Sequence, residues 1–311
     1  MNDRPSTTIA YLKLARPWQW GKSAFVLLGP FYGYAMLIQQ GRSGRDIVLG
    51  ALAAAAAFAL VSSGCYAAND ALDHKADQLH PRKRHRPIAS GAISPRGAWT
   101  YAAILIGAGA LLLLAVDPGA RVGVAVCLAL YALNVLLYSA VFKHRVIADV
   151  MSLSLGFVLR MVGGCAAVGI APTIWLLNVT LFLSMFLAFG KRLGERRTLG
   201  ESASHAAAHR PVQALYTDAL LQMMVVVTAV ITLMTYALYL KDQAPVHNSP
   251  DLKGLIRWGT LLPATYGMLR CIVLLEMGTY DDPTEVAFKD RGVQAAGVAF
   301  VALTLWAMYA N

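Results

Sequence analysis

Charge is what this chain has least of. Only 14% of its 311 residues are Asp, Glu, Lys or Arg, against about 25% in a typical soluble domain, and 57% are hydrophobic before its 26 glycines are counted. At a mean hydropathy of +0.53 there is too little polar surface to wrap cores of this size in water. A soluble globular protein is excluded, and so is a disordered one, which needs the opposite composition. Cysteine is scarce as well. Cys65, Cys127, Cys165 and Cys271 stand singly in apolar stretches, with no C-x-x-C pair and no His at zinc spacing, so they read as buried thiols. The mostly polar residues ahead of the first apolar run are too many and too Trp-rich for a signal n-region, and no small-residue cleavage site follows; that run is expected to stay in the mature protein. Acids are scarcer than bases, 17 against 27, leaving a formal charge of +10. Such an excess suits nucleic acid, a membrane surface or an anionic substrate, and the positions of the charges decide among them.

What is abundant is long apolar sequence. A hydrocarbon core about 30 Å thick takes roughly 20 apolar residues at a helical rise of 1.5 Å each. Nine such windows, bounded by charges, fall at 23–40, 47–68, 98–116, 122–142, 146–170, 173–190, 219–240, 255–275 and 293–310. Each is expected to be helical, because backbone groups in lipid must bond internally, so the fold class is all-α, a polytopic membrane protein of nine spans. Trp18 and Trp20 lie just ahead of the first window, where aromatic rings favour the headgroup zone. Nineteen Lys and Arg fall with the N-terminus and the even-numbered connections, six on the opposite face, and Arg160 and Arg270 inside windows. The richer face is cytoplasmic. The N-terminus is then cytoplasmic, the C-terminus is outside, and the long polar connections 69–97 and 191–218 both face the cytoplasm. With the bases spread along one membrane face and no basic tail, nucleic acid is not an expected partner. The expected organisation is one membrane-embedded domain over 1–311, with a cytoplasmic segment at 1–22.

The sharpest local pattern is N-D-x-x-D-x-x-x-D, from Asn69 to Asp77, at the cytoplasmic end of the second window. If the helix runs on through it, Asp70, Asp73 and Asp77 share one face over two turns. Like charges so spaced repel unless a cation lies against them, and Mg²⁺ suits because it takes carboxylate oxygens while keeping positions for phosphate oxygens. The other reading is a solvated acidic helix end. Immediately downstream, His80 to Gly91 contains Arg82, Lys83, Arg84 and Arg86. An Arg fork and a mobile Lys charge both match phosphate, so the segment is fit to hold a diphosphate from one side while Mg²⁺ holds it from the other. A plain positive-inside anchor explains the bases but not the acids beside them.

Other charged positions leave alternatives open. Asp149 and Arg160 lie in the fifth window, eleven residues apart and on one helical face with Ser152, Gly156 and Gly163 nearby. That stripe either lines a cavity or provides polar helix-packing contacts; the spacing is too long for a direct pair, so each needs a partner elsewhere. Arg270 reads as a snorkelling side chain. Asp281, Asp282, Glu285 and Asp290, with Lys289 and Arg291, form either a second Mg²⁺ or ribose site or a capped loop in which Asp282-Pro283 opens a short helix. His205 and His209 lack a nearby Glu or Cys and read as a surface helix.

Set among nine spans, the run Asn69 to Asp77 with Pro81-x-Lys83-x-x-Arg86-Pro87-Ile88-Ala89-Ser90-Gly91 resembles the UbiA-type intramembrane prenyltransferase superfamily. Arg16-Pro17-x-x-Trp20-x-Lys22, Lys143-His144, Arg160, Gly190-Lys191-Arg192 and Asp282-Pro283-x-Glu285-x-Ala287-x-x-Asp290-Arg291 are similar to its decaprenyl-phosphate phosphoribosyltransferase branch. The likeness covers nearly the whole chain. It implies an all-helical bundle with a central cavity open to the cytoplasm and laterally to lipid, and Mg²⁺ as cofactor holding a diphosphate. Asp70, Asp73 and Asp77 would be the metal-holding and catalytic residues, and Asn69, Lys22, Lys83, Arg86, Lys143, Arg160, Lys191, Arg192 and Glu285 the substrate-binding ones. Most aromatic prenyltransferases of the superfamily carry a second D-x-x-x-D after the sixth span. Here Lys191 to Arg197 holds one carboxylate, Glu195, among four cations, a composition for phosphate more than metal.

The resemblance therefore implies a bacterial plasma-membrane transferase with its site facing the cytoplasm. It would move a 5-phosphoribosyl group from phosphoribosyl diphosphate to a polyprenyl phosphate and release diphosphate, leaving homo-oligomer formation open. An alternative is alkylation of an aromatic or quinone-precursor ring by a polyprenyl diphosphate, for which the second acidic pair near residue 195 is missing. A transporter would predict repeated halves or acids at midplane, and the sequence has no clear repeat of that kind.

Overall fold

The computed structural model describes residues 7–79, 83–199, 215–242, 252–280 and 282–309. Arg82, His205, His209 and Asp281 lie outside the described residues. Among those described, every regular element is helical and there is no strand, as a bilayer requires of so apolar a chain. Among the described residues eight helical stretches are long and apolar enough to cross a membrane, and the protein is a multi-pass membrane protein. Large apolar side chains such as Leu111, Val122 and Val298 lie exposed, which suits lipid. The chain divides into two compact units, Met1–Ala140 with Gly156–Pro172 and Val141–Leu155 with Thr173–Asn311.

The first unit contains α1 (Thr7–Ala15), a 3-10 stretch (Pro17–Leu27), α2 (Leu28–Gln39), α3 (Gly44–Leu79), α4 (Pro95–Leu111), α5 (Arg121–Ala140) and the later turns of α6 (Ala148–Ala167). Its axis is α3. The alanine-rich run from Ala51 to Ala59 combines the best helix former with side chains small enough for close approach. Ala54, Ala57, Phe58, Val61 and Cys65 pack with Val124, Cys127, Leu128 and Tyr131 of α5 into one buried core. α4 opens on Ser94, whose hydroxyl accepts from Gly97 N at 3.1 Å, with Pro95 at the first helical position, a pairing that satisfies a donor the helix leaves orphaned. At 36 residues, α3 is about 54 Å long, well beyond a hydrocarbon core of about 30 Å. Its last turns therefore carry the Asn69–Asp77 motif, still helical, past the apolar window.

The expected first span is built differently from the others. Residues 23–40 form the end of the 3-10 stretch and the 12-residue α2, which is not among the eight crossing helices. Gly29, Pro30 and Gly33 interrupt the run, while Pro17 and Gly21 precede it in the 3-10 stretch; both residue types lower helical preference. What glycine gives instead is proximity: on α6, a Cβ added at Gly164 would fall 1.7 Å from the Val26 carbonyl oxygen.

The second unit holds the first turns of α6, then α7 (Ile174–Leu199), α8 (Asp218–Asp242), α9 (Leu252–Gly259), α10 (Leu261–Glu276), α11 (Pro283–Lys289) and α12 (Arg291–Tyr309). Phe186, Phe189 and Leu193 of α7 pack with Leu221 and Val225 of α8 and Leu274 and Leu275 of α10. The window at 255–275 is broken between α9 and α10 at Thr260, whose hydroxyl turns back to the Arg257 carbonyl at 2.6 Å, a local bond that competes with helix continuation. All four cysteines are free and buried, as read from the sequence.

Replacing Gly164 with Val is expected to lower the thermal midpoint of the detergent-solubilised protein by at least about 5 °C, given overpacking costs of about 1–3 kcal/mol. Gly107, with open space around it, should accept Ala with a change under about 2 °C. Equal effects at both positions would contradict the packing described.

Candidate active site

A helix turns about 100° per residue, so seven residues return to within about 20° of the starting direction while three miss by about 60°. Asp70 and Asp77 accordingly point the same way from α3, and both are buried, their side chains 3% and 4% exposed. Asp73 lies to one side, half-buried, its Oδ2 accepting from Asn69 Nδ2 at 3.2 Å. The motif supplies a converging pair of carboxylates, with Asp73 beside it. Among the described residues no three acidic, histidine or thiol groups stand close enough to hold one ion, so the trio expected at a single metal is not assembled.

Cations meet the pair instead. Arg86 Nη1 donates to Asp70 Oδ1 at 2.9 Å and to Asp77 Oδ2 at 2.8 Å. Arg16 Nη2 contacts both Asp70 oxygens, at 2.8 and 2.7 Å, and Lys83 Nζ lies 3.9 Å from Asp77. The acids form a floor and the cations a rim, with Arg16, Arg86 and Lys83 side chains 24%, 28% and 39% exposed. Such a surface presents N–H donors and positive charge outward, the requirement for holding phosphate.

Local sequence explains how the rim is placed. Arg86 leads a turn closed by Ser90 N to Arg86 O at 2.9 Å and Ile93 N to Pro87 O at 3.0 Å. Ile88 and Ile93 are buried against Ala67, Ala68 and Ala71 of α3 and Ala98 and Ala102 of α4, which pins the turn beside the carboxylates. Arg16 reaches Asp70 from a left-handed backbone, φ 52° and ψ 57°, although the residue before a proline strongly prefers extended conformations. Ser63 Oγ donates to Ala15 O at 2.6 Å and Trp20 Nε1 donates to Ser63 Oγ at 3.0 Å, so α3 grips both sides of the strained residue. Strain of this kind costs of order 1–3 kcal/mol and gathers at functional sites.

Deeper along α3, eight residues and about 12 Å from Asp70, Ser62 faces Arg160. Arg160 is buried; its Nη2 donates to Ser62 Oγ and Tyr131 OH, both at 2.8 Å, and its Nη1 to Gly156 O at 3.2 Å. Its guanidinium also lies 4.3 Å over the Tyr131 ring, and Nε has no hydrogen-bond partner. These contacts give it neutral acceptors and no carboxylate.

In the second unit Asp149 and Arg192 are both buried and paired, Arg192 Nη2 donating to Asp149 Oδ2. Tyr216 OH donates to Asp149 Oδ1 at 2.7 Å and accepts from Ile147 N at 2.7 Å. Burial, opposed by the Ile147 N–H and reinforced by Asp149, pushes the phenol up to about 12, which keeps it a donor at neutral pH. Ile147 carries a φ of 69°, a true outlier for a β-branched residue. Arg192, expected to meet phosphate, is buried against Asp149 and braces α6 against α7. Lys191 is half-exposed and pairs with Asp282. Lys143 and Glu285 are half-buried and Lys22 is exposed, and Glu285 pairs with Lys289. Arg270 does not simply snorkel: it pairs with Asp290 at 3.0 Å, and its guanidinium holds that carboxyl below the usual range. Arg196 and Arg197 bind Asp218, and Arg197 also Glu276.

Residues 26–246 match the UbiA prenyltransferase family. The chain belongs to this family. It is 31% identical over 301 residues to the decaprenyl-phosphate phosphoribosyltransferase of Mycolicibacterium smegmatis, covering 96% of this chain and 92% of that one. With the protein of the same name from Corynebacterium glutamicum the identity is 32% over 299 residues, covering 96% and 86%. The solved UbiA homolog from Archaeoglobus fulgidus bound to GPP and Mg²⁺ superposes with a TM-score of 0.64 at 18% identity, covering 96% of this chain and 98% of that one.

For this UbiA chain the donor set at Asn69, Asp70, Asp73 and Asp77 is all hard oxygen, the chemistry of Mg²⁺, and the Asp70–Asp77 pair already converges on one cationic atom. On both counts the residues fit the ion found with the family's solved relative. Sequence reasoning gave no site role to Arg16 or Tyr216. The Arg16-Pro17 pair carried the signal for the first; nothing local marks the second.

Asp149→Asn should destabilise the protein by about 3–5 kcal/mol, since it strands a buried guanidinium. The Asp149→Leu, Arg192→Met double variant should recover most of that loss. Single variants as stable as the parent in thermal unfolding would refute the brace.

Proposed function

We propose that this UbiA-family enzyme transfers a 5-phosphoribosyl group from phosphoribosyl diphosphate to a polyprenyl phosphate. The observation that carries the reading is the buried Asp70–Asp77 pair beneath the outward rim of Arg16, Arg86 and Lys83, a receptor for a diphosphate. The named relatives, similar over 96% of the chain, support that substrate choice. Their match, like the family's, runs through both compact units, which supports reading 1–311 as one transferase domain. The excess of Lys and Arg on the side of the motif supports a cytoplasm-facing site, and the bacterial relatives support a bacterial plasma membrane.

In the reaction the bond from the anomeric carbon to the diphosphate oxygen breaks and one to an oxygen of the lipid phosphate forms, so no strong base is needed. Mg²⁺ bound at Asp70 and Asp77 would neutralise the charge that grows on the leaving diphosphate. Arg86 and Lys83 hold that diphosphate from the rim, and Arg16 fixes the Asp70 carboxylate. Asn69 orients Asp73 at the edge of the site. Lys22 in the first unit and Lys143 and Lys191 in the second are further cations for anionic substrate, and Glu285 is a polar contact for the ribosyl donor. Arg160, surrounded by neutral groups, draws an anionic group further along α3.

Incubation of the purified protein with ribosyl-labelled phosphoribosyl diphosphate, polyprenyl phosphate and Mg²⁺ should yield labelled lipid, and Asp70→Ala or Asp77→Ala should cut the yield at least about a hundredfold. Consumption of a polyprenyl diphosphate with an aromatic acceptor, and no labelled lipid, would establish the prenyltransferase alternative instead. Arg160→Met tests the deeper charge separately. Because a buried charge without a counter-ion contributes little net stability, this variant should unfold within roughly 3 °C of the parent while losing transfer. Loss of folding with it would make Arg160 a packing residue.

A further inference from the structure

We propose that Arg86 is an internal counter-ion that holds the cation position between Asp70 and Asp77 until a diphosphate arrives, so that divalent ion and diphosphate bind as a pair and neither binds well alone. The inference rests on the diphosphate-site reading above but does not depend on which diphosphate is used.

Three observations lead to it. One nitrogen, Arg86 Nη1, bonds both carboxylates at nearly equal distances, 2.9 and 2.8 Å, which is the place a bridging cation would take. The carboxylates are almost wholly buried, and a buried acid stripped of its partner is costly, so some cation must be there in every state. Arg86 itself is partly exposed and sits on a turn rather than a helix, with its backbone anchored downstream by Ile88 and Ile93. The side chain can swing without moving that anchor.

Exclusion follows from size. Mg²⁺ binds oxygen at about 2.0–2.1 Å, shorter than either Arg86 contact, so the guanidinium and the ion cannot share the point. Charge then sets the coupling. Exchanging a single positive charge for a double one, beside Arg16 and Lys83, adds positive charge to a cluster already rich in it. A diphosphate removes that penalty, and it also offers the displaced guanidinium a pair of anionic oxygens for its planar fork. Arg16 keeps both of its bonds to Asp70, so that carboxylate stays aimed while Arg86 moves. Arg86 is on this account a positioning residue for the ion and a ligand for the diphosphate, in alternation.

The test uses the full-length protein in detergent, with Mn²⁺ as a spectroscopically visible divalent ion and inorganic pyrophosphate as the anion, at buffered free Mn²⁺. The parent should bind Mn²⁺ at least about tenfold more tightly when pyrophosphate is present, within the usual range of coupling between sites. R86Q should bind Mn²⁺ at least about tenfold more tightly than the parent in the absence of pyrophosphate, and should lose most of the enhancement when it is added. R86K, which keeps the charge without the fork, should lie between. R86Q binding Mn²⁺ no better than the parent would overturn the exchange. So would a parent affinity indifferent to pyrophosphate, a measurement that needs no variant to fold. Failure to label lipid from phosphoribosyl diphosphate would sink the transferase reading while leaving these ion-binding results standing, and the converse pattern would sink the exchange alone.

Discussion

One guanidinium nitrogen between two buried carboxylates is the contact around which the first unit is organised. Two aspartates seven residues apart on a rigid helix cannot relax away from each other, and burial forbids water from screening them. Their neutralisation has to come from other elements, and the chain supplies it from two directions in sequence: Arg16 from upstream, Arg86 from downstream. The unusual local features of this region serve that delivery. The left-handed backbone at Arg16 and the buried Ile88 and Ile93 behind the Arg86 turn each fix a cation whose position the helix alone could not determine.

The second unit meets the same problem with a different outcome, and exposure separates the two. Arg192 lies fully within the protein against Asp149, with Tyr216 as a second donor to the same carboxylate, so its charge is spent internally. Arg86 has the same kind of partner but retains an outward face. A residue's charge sign does not reveal whether it braces a fold or receives a ligand; the fraction of its donors facing outward does. Backbone strain marks both clusters, at Arg16 and at Ile147, where the surrounding contacts hold a conformation that these residues disfavour.

The spans were legible because lipid imposes a length and a composition that sequence reports directly. The N-D-x-x-D-x-x-x-D run was legible because helical period fixes which of its members face alike. One member departs from the shared face, since the offset of Asp73 from Asp70, about 60°, is enough to separate it from the pair. The first window hides its break, because its hydrophobicity is uniform while the 3-10 stretch that enters it begins upstream, at Pro17. Partners distant in sequence were invisible: nothing near Arg192 announces Asp149, and nothing near Arg270 announces Asp290. Local rules assign elements and their faces; pairing of isolated charges is set by packing that only the folded chain provides.

The distribution of uncompensated charge bears on why a chain with so few ionisable residues keeps them where it does. A phosphoribosyl donor and a lipid phosphate are both anions, and bringing them together requires more positive potential than a prenyl donor with a neutral ring does. The region that carries a second acidic motif in aromatic prenyltransferases reads here as Lys191-Arg192-Leu193-Gly194-Glu195-Arg196-Arg197, and in the first unit the rim cations outnumber the two carboxylates they cover. Arg160 extends the excess into the apolar interior, where a guanidinium held, among the described residues, by hydroxyls, a carbonyl and two aromatic faces is poorly compensated and is retained at a cost. On the proposed function, an anionic substrate would share that charge. The same charge that makes the empty fold less stable then makes the substrate-loaded one more so, a relation expected of a site whose ligands are all negative.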